Sequence, residues 1–317
     1  MDFRDARVLV TGGAGFVGSN LTQALLREGA EVTVFDDFST GSMLNVDDIV
    51  DNVTIARADV RDFQSVRNAI VDQDFVFHLA ANASVPISTQ RPRYDFEVNA
   101  IGTFNILESL RDLDSDAPLV FTSSAAVYGE PKSIPITEGS RLEPLSPYGA
   151  TKLASEVLCR TFHHVYGLKS VFPRFFNVYG PSQRKYVMFD VMNKLRKEPS
   201  KLEVLGTGNE SRDFVYVSDA VDACILLART PSAFGEAYNV GTGVGITISE
   251  LIDLILQTLA FQYKTEVHYT NESWKGDLQN LVADITKLRM LGFKPKVALK
   301  TGLKRFINWY NDSCSPR

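Results

Sequence analysis

Arg7-Val8-Leu9-Val10-Thr11-Gly12-Gly13-Ala14-Gly15-Phe16-Val17-Gly18 is the stretch on which the fold of this chain turns. A short apolar run reads as a buried strand. Glycines follow at G-x-x-G-x-x-G spacing, Gly12, Gly15 and Gly18, and Leu21 to Arg27 reads as a helix. Glycine permits the tight turn and lets backbone N–H groups, with those of Phe16 and Val17 beside them, approach a pyrophosphate at the positive end of the helix. Gly18 lets that helix pack closely on the strand. A glycine pattern alone is weak evidence. Its place between a strand and a helix is what marks a dinucleotide-binding turn.

Working outward, Val32-Thr33-Val34-Phe35, Val53-Thr54-Ile55-Ala56, Phe75-Val76-Phe77-His78-Leu79 and Leu119-Val120-Phe121-Thr122 are further apolar strands. Helix-length stretches separate them, notably 61–73 and 96–112. Near-continuous apolar strands alternating with helices predict an α/β fold, a doubly wound parallel sheet covered on both faces. After residue 180 the texture changes. Short helices are expected at 189–197, 220–229, 248–259 and 300–310, with a loop-rich stretch at 202–213. The expectation is a dinucleotide-binding domain over 1–178, rejoined by 213–245, and a smaller C-terminal α/β lobe over 179–212 and 246–317.

Asp36 ends the second strand, 18 residues after Gly18. A carboxylate there accepts hydrogen bonds from the ribose of an adenosine and repels a 2′-phosphate. No Arg or Lys occurs in 36–50, so NAD is expected over NADP. Asp37 ends the same strand. Asp59 and Val60, after the third strand, are placed to meet the adenine edge.

Composition sets the outer limits. The chain has 317 residues, 44% hydrophobic and 22% charged, an ordinary globular balance. Its net charge of −5 lacks the basic footprint of a nucleic-acid binder. No apolar run is long enough to span a bilayer. The charged start Asp2-Phe3-Arg4-Asp5 argues against a signal peptide, so a cytoplasmic protein is expected. Three widely spaced cysteines show no disulfide or metal pattern, and no metal is expected.

Tyr148-Gly149-Ala150-Thr151-Lys152 puts a phenol and an ammonium at i and i+4, on one helix face. A tyrosinate base near neutrality needs its pKa lowered by about three units, roughly 4 kcal/mol. One ammonium at ~5 Å with an effective dielectric of ~20 supplies about 3 kcal/mol. An oxidised nicotinamide adds a second positive charge. Together they make Tyr148 a plausible general base. Thr122-Ser123-Ser124 follows the strand 119–121, and ligands bind at strand C-termini in such sheets.

These residues occur in order with His78-Leu79-Ala80-Ala81, Asn99, Arg174-Phe175-Phe176-Asn177-Val178-Tyr179-Gly180-Pro181 and Arg212-Asp213-Phe214-Val215-Tyr216-Val217-Ser218-Asp219. The set resembles the extended short-chain dehydrogenase/reductases, in their NAD-dependent nucleotide-sugar epimerase/dehydratase branch, over nearly the whole chain. The resemblance implies Tyr148 as catalytic base and Lys152 as a second contact to the nicotinamide ribose. It implies Ser124 as the hydroxyl that holds the sugar O4. The NAD pocket would add Ser39, Thr40, Gly41, Leu79, Ala80, Ala81, Asn99, Thr122 and Phe175. The nucleotide-sugar would meet Ser84, Val85, Asn177, Val204, Arg212 and Asp277. A homodimer through the helices at 96–110 and 150–165 is implied as well.

Ala125-Ala126 bears on the reaction. Related 4,6-dehydratases carry an Asp-Glu pair there, and related decarboxylases a Glu at the second position. Small neutral residues resemble the 4-epimerases, which need only hydride transfer and one proton relay. The expected activity is 4-epimerisation of a UDP-hexose with retained NAD. A UDP-uronate epimerase, dehydratase or decarboxylase is the alternative within the family, and a non-catalytic dinucleotide-binding regulator the alternative outside enzymes. Two features depart from the family. Trp274-Lys275-Gly276-Asp277 has Trp where an Arg usually grips the diphosphate, leaving Lys275 or Arg184 to compensate. Leu281, at a position that gates the hexose pocket, is of intermediate size and leaves glucose and N-acetylglucosamine both open.

Overall fold

A computed structural model of the chain describes residues 2–259, 265–272 and 278–314. Strand β1 (Arg7–Thr11) leads through the glycine turn into helix α1 (Phe16–Arg27). Strands β2 (Glu31–Asp36) and β3 (Val53–Arg57), helix α2 (Phe63–Ile70) and strand β4 (Phe75–His78) follow. Helices α3 (Val85–Gln90), α4 (Pro92–Phe96) and α5 (Gly102–Asp112) come next, then strands β5 (Leu119–Phe121) and β6 (Ser123–Ser124). Helix α6 (Pro147–Tyr166) and strand β7 (Ser170–Phe175) complete this series.

The main sheet runs β11-β7-β5-β4-β1-β2-β3, where β11 is Ala237–Val240, and all its pairings are parallel. Its inner strands read as apolar runs because both faces are covered: β1 and β4 are buried almost throughout. One core cluster centres on Val8, Val10, Leu21, Phe75 and the helix 217–228; the other on Leu9, Val76, Ile106, Leu107 and Phe172. The chain order of the strands reverses between β1 and β4. That is the switch point at which such sheets open a crevice beyond their C-terminal edge.

The remaining elements are β8 (Asn177–Tyr179), α7 (Tyr186–Lys197), β9 (Lys201–Val204), β10 (Ser211–Tyr216) and α8 (Val217–Ala228) before β11. After it come β12 (Gly245–Thr247), α9 (Ile248–Thr258), β13 (Glu266–Tyr269), β14 (Asn280–Leu281), α10 (Thr286–Arg289) and α11 (Leu299–Cys314). Strand β10 gathers β8, β12 and β14 into a small mixed sheet, and β9 pairs with β13. A third core cluster, with Met188, Leu195, Phe214, Leu251 and Phe306, holds this part together.

Several expected bounds move. The loop-rich stretch 202–213 contains most of β9 and the start of β10, because their partners β13, β12 and β14 lie far along the chain and leave no local trace. Helix α8 starts at Val217, three residues before the expected 220, so Asp219 lies in its first turn and receives the Val297 N–H. The single helix expected at 96–112 is split by a π turn at Glu97–Ile101. The hydroxyls of Thr103 and Ser155 both donate to the Asn99 carbonyl, at 2.6 and 3.0 Å, and draw it from the regular ladder.

Candidate active site

A cleft of about 1050 Å³ opens at the switch point, at the upper end of the size of ligand pockets. Its floor is the glycine turn. Gly12 has a φ of +69°, and a Cβ there would stand 2.7 Å from the Ala80 nitrogen. A Cβ at Gly18 would stand 2.0 Å from the Gly12 carbonyl oxygen. Both positions therefore demand glycine. Helix α1 begins without a side-chain cap and without an acidic residue in its first turn. Its first N–H groups face an opening shaped by bare backbone, a cradle suited to a pyrophosphate. The residues present thus fit a dinucleotide.

Asp36 lies at the end of β2, buried, and locks the turn. Its carboxylate accepts the Ala14 N–H at 2.9 Å and the Phe38 N–H at 2.8 Å. Burial raises its pKa while the two N–H donors hold it down. Each oxygen keeps lone-pair capacity for a ribose hydroxyl. Arg57, outside 36–50, is the register partner of Asp36 across β2–β3. Its guanidinium stacks 5.4 Å over the Phe38 ring and does not line the cleft. Asp59 is held by Arg61, at 2.9 and 3.0 Å from the guanidinium Nε, which keeps its carboxyl below the usual range. The Asp59 side chain is thereby partly committed, while Val60 lines the wall beside it.

Asp37, Ser39, Thr40, Phe16, Val17, Leu79, Ala80, Ala81, Thr122 and Phe175 all line the cleft. Gly41 does not; it packs beneath Asp36, where a Cβ would stand 2.8 Å from the carboxylate. Asn99 is not in the wall either. It is buried one layer behind, where its Oδ1 accepts the Asn82 N–H at 2.8 Å and its amide reaches Thr151 at 3.1 Å. His78 is buried between Thr11 and Thr103 at 2.7 and 3.1 Å. Burial, with Lys152 adding to it, pushes its pKa down to about 3, so it stays neutral.

The reactive end is built on α6. Ser146 caps that helix through the Gly149 N–H, Pro147 occupies its first turn, and Gly167 in the left-handed region ends it. Tyr148 and Lys152 project from one face into the cleft. The Lys152 ammonium donates to the Thr122 carbonyl at 2.9 Å, which ties α6 to the end of β5. Ser124, at the end of β6, lies near the Tyr148 phenol and works against the rise of its pKa. Three parts of the chain thus bring phenol, hydroxyl and ammonium together.

Burial raises the Tyr148 phenol above its ordinary value and outweighs its neighbours. Burial also lowers Lys152 to about 8, with Asp95 first among the groups opposing that fall. An oxidised nicotinamide bound in the cleft would add positive charge near the phenol.

Ser84, Val85, Asn177, Val204, Arg212 and Leu281 also line the cleft. The Asn177 amide nitrogen is buried without a hydrogen-bond partner, as is the Ser123 hydroxyl. Such orphans are costly unless a ligand meets them. Arg212 donates to the Ser211 and Gln279 carbonyls, each at 3.0 Å. It does not pair with Asp213. That carboxylate is fully buried and receives Thr242, Gly243 and Ala283. Asp277, with Trp274 and Lys275, lies outside the described residues. Arg184 lines the cleft with its guanidinium 5.3 Å from the Trp309 ring centre.

The sequence reading missed Tyr186, at the start of α7, which lines the cleft and donates to the Ala83 carbonyl. It also missed Ser123 and Asp95. The spacing of Asp95 to Asn99, four residues on a helix, was the available signal for the last. Among the described residues, no group of three His, Cys, Asp or Glu side chains is arranged to hold a metal, and no helix is long and apolar enough to cross a membrane.

Known proteins share this architecture. The sequence profile described as GDP-mannose 4,6 dehydratase matches residues 9–306. A UDP-glucose 4-epimerase of Mycolicibacterium smegmatis is 34% identical over 96% of this chain and 99% of its own length. The UDP-N-acetylglucosamine 4-epimerase of Methanobrevibacter ruminantium, solved with UDP-N-acetylmuramic acid, superposes with a TM-score of 0.91 at 33% identity, over 98% of this chain and 99% of that one. The Thermus thermophilus UDP-glucose 4-epimerase, solved with NAD, gives 0.85 at 35% identity over 96% and 99%.

Proposed function

This chain belongs to the NAD-dependent nucleotide-sugar epimerase/dehydratase family, and from that premise we propose that it is a UDP-hexose 4-epimerase acting on the UDP-glucose/UDP-galactose pair. It is an NAD-dependent nucleotide-sugar epimerase; the finer reading rests on one observation. Beside the Tyr148–Ser124–Lys152 cluster the chain continues as Ala125-Ala126, with methyl groups where elimination would need an acid and a base. One proton relay is all that this cluster offers.

In the proposed reaction Tyr148 takes the proton from the sugar O4 and later returns it. Ser124 holds that oxygen against the phenol. Lys152, anchored on Thr122, fixes the nicotinamide ribose and keeps positive charge beside Tyr148. Bound NAD supplies the acceptor, and in its reduced form the donor, for the hydrogen at C4. The 4-keto sugar would turn over in the cleft between the two transfers. Asn177 and Arg212 meet the diphosphate or neighbouring sugar oxygens, and the orphaned Asn177 amide supports its part. Residues 1–178 with 213–245 would hold NAD, and 179–212 with 246–317 the nucleotide-sugar. Leu281, of intermediate size, keeps N-acetylated hexoses open as further substrates. The exposed apolar residues Phe96, Ile101, Val157 and Val165, on α4 to α6, support a homodimer.

Proton NMR tests the reading, with UDP-glucose, UDP-N-acetylglucosamine and UDP-glucuronate offered separately in D₂O without added NAD. Formation of the galacto-configured product without deuterium in the sugar is expected, since the hydrogen never exchanges with solvent and NAD stays bound. Deuterium at C5, or loss of water or CO₂, would overturn it.

A further inference from the structure

Asp95 is a carboxylate that the reaction above does not use. It sits on α4 with no exposed surface. Its Oδ1 accepts the Asn82 amide at 2.8 Å and the Asn99 amide at 3.2 Å. Its Oδ2 accepts the Thr151 hydroxyl at 2.7 Å. All three partners are neutral donors, and an acceptor-only group suits an ionised carboxylate. Thr151 belongs to α6 and lies between Tyr148 and Lys152. We propose that Asp95 is the positioning residue of the Tyr148–Lys152 pair: it braces the reactive turn of α6 through Thr151 and supplies the fixed negative charge that keeps Lys152 an ammonium.

This inference rests on Tyr148 and Lys152 carrying the reaction. A second buried carboxylate, Glu156, also acts on Lys152, but it is gripped by Arg174 through two bonds of 2.9 and 2.6 Å. Its charge is thereby largely neutralised, whereas the partners of Asp95 leave its charge intact. Burial raises the pKa of the Asp95 carboxyl, while the Thr151 and Asn82 donors and the Lys152 charge oppose that rise; Asp95 in turn raises the pKa of Lys152.

The other charged and titratable groups around Asp95 are few. Helix α6 presents Tyr148, Lys152 and, one turn on, Glu156. On its own helix and the preceding residue, Arg91 stacks on Tyr94 at 4.6 Å, and exposed Arg93 approaches Glu97 at 3.7 Å. Glu97, on the π turn, also faces Arg61 at 3.6 Å. Helix α3 carries no titratable side chain.

The experiment compares wild type with Asp95→Asn, which keeps shape and removes charge. Protein labelled with ¹³C at lysine Cε is titrated by NMR without nucleotide-sugar, and Lys152 is assigned by its loss in Lys152→Met. Removing a negative charge lowers the pKa of a neighbouring ammonium, so the Lys152 midpoint should fall by about one unit. The alkaline limb of the kcat profile should move with it. An unmoved Lys152 midpoint alongside reduced turnover would make Asp95 a merely structural residue and overturn the proposal. Thr151→Val separates the brace from the charge. It should lower kcat several-fold with KM unchanged, and shift the midpoint by less than a third of the Asp95→Asn effect. Unchanged kcat in that variant would also overturn the proposal, even if Asp95→Asn fails to fold. The titration needs no substrate, so it stands if no UDP-hexose is turned over; that outcome would sink the functional reading alone.

Discussion

At the scale of single residues the site is a balance between burial and charge. Tyr148 is raised by burial, and Lys152 is lowered by burial to about 8. The active arrangement needs the phenol ready to lose its proton and the lysine holding one. Lys152 is cationic below its pKa, so turnover should fall as pH rises through about 8. A kcat profile measured between pH 6 and 10 checks this. Tyr148→Phe should lower kcat by about 10²- to 10⁴-fold, the range expected for losing a general acid–base group, while NAD affinity stays near wild type. Equal losses in kcat and in NAD affinity would argue that the phenol serves binding more than proton transfer.

At the scale of elements, two features hold the site in shape. The first is the glycine turn between β1 and α1. A methyl at Gly12 meets the Ala80 backbone nitrogen at 2.7 Å, and the left-handed φ costs a further 1–2 kcal/mol or so for an L-residue. Gly12→Ala should therefore weaken NAD binding by at least about tenfold, read by calorimetric titration. The second is the buried ion pair of Arg174 on β7 with Glu156 on α6, joined by the Tyr128 hydroxyl at 2.9 Å from Arg174. Tyr128 continues to Asn239 on β11 at 2.6 Å. Removing one partner strands a charge, so Arg174→Met should cost about 3–5 kcal/mol in denaturant unfolding. The double variant Glu156→Leu/Arg174→Met should recover most of that loss, because no lone charge then remains.

At the scale of the whole molecule, apolar side chains remain exposed on α4 to α6. Val157 and Val165 are 52% and 59% exposed and share the helix that carries Tyr148. In the proposed homodimer this face is covered. Val157→Asp should then shift sedimentation equilibrium toward monomer. A wild-type protein that sediments as a monomer at micromolar concentration would remove the dimer from the proposal.

The sequence by itself determined the architecture and pointed to the proposed reactive pair. Strand periodicity, the glycine turn and the i, i+4 spacing of Tyr148 and Lys152 are local patterns, and local patterns survive without a structure. So is the absence of an acid–base pair at Ala125-Ala126. Tertiary structure alone decided what surrounds them. Arg57 stands next to Asp36 through a strand register, Asp213 turns away from Arg212, and Arg61 partly occupies Asp59. Asp95 meets Thr151 across 56 positions of chain, and Tyr186 meets Ala83 across 103. Burial, which sets the protonation of Tyr148 and Lys152, is likewise a property of the packed molecule. Hydrogen bonds and desolvation between distant segments depend on how helices dock on the sheet, and no short stretch of residues encodes that geometry.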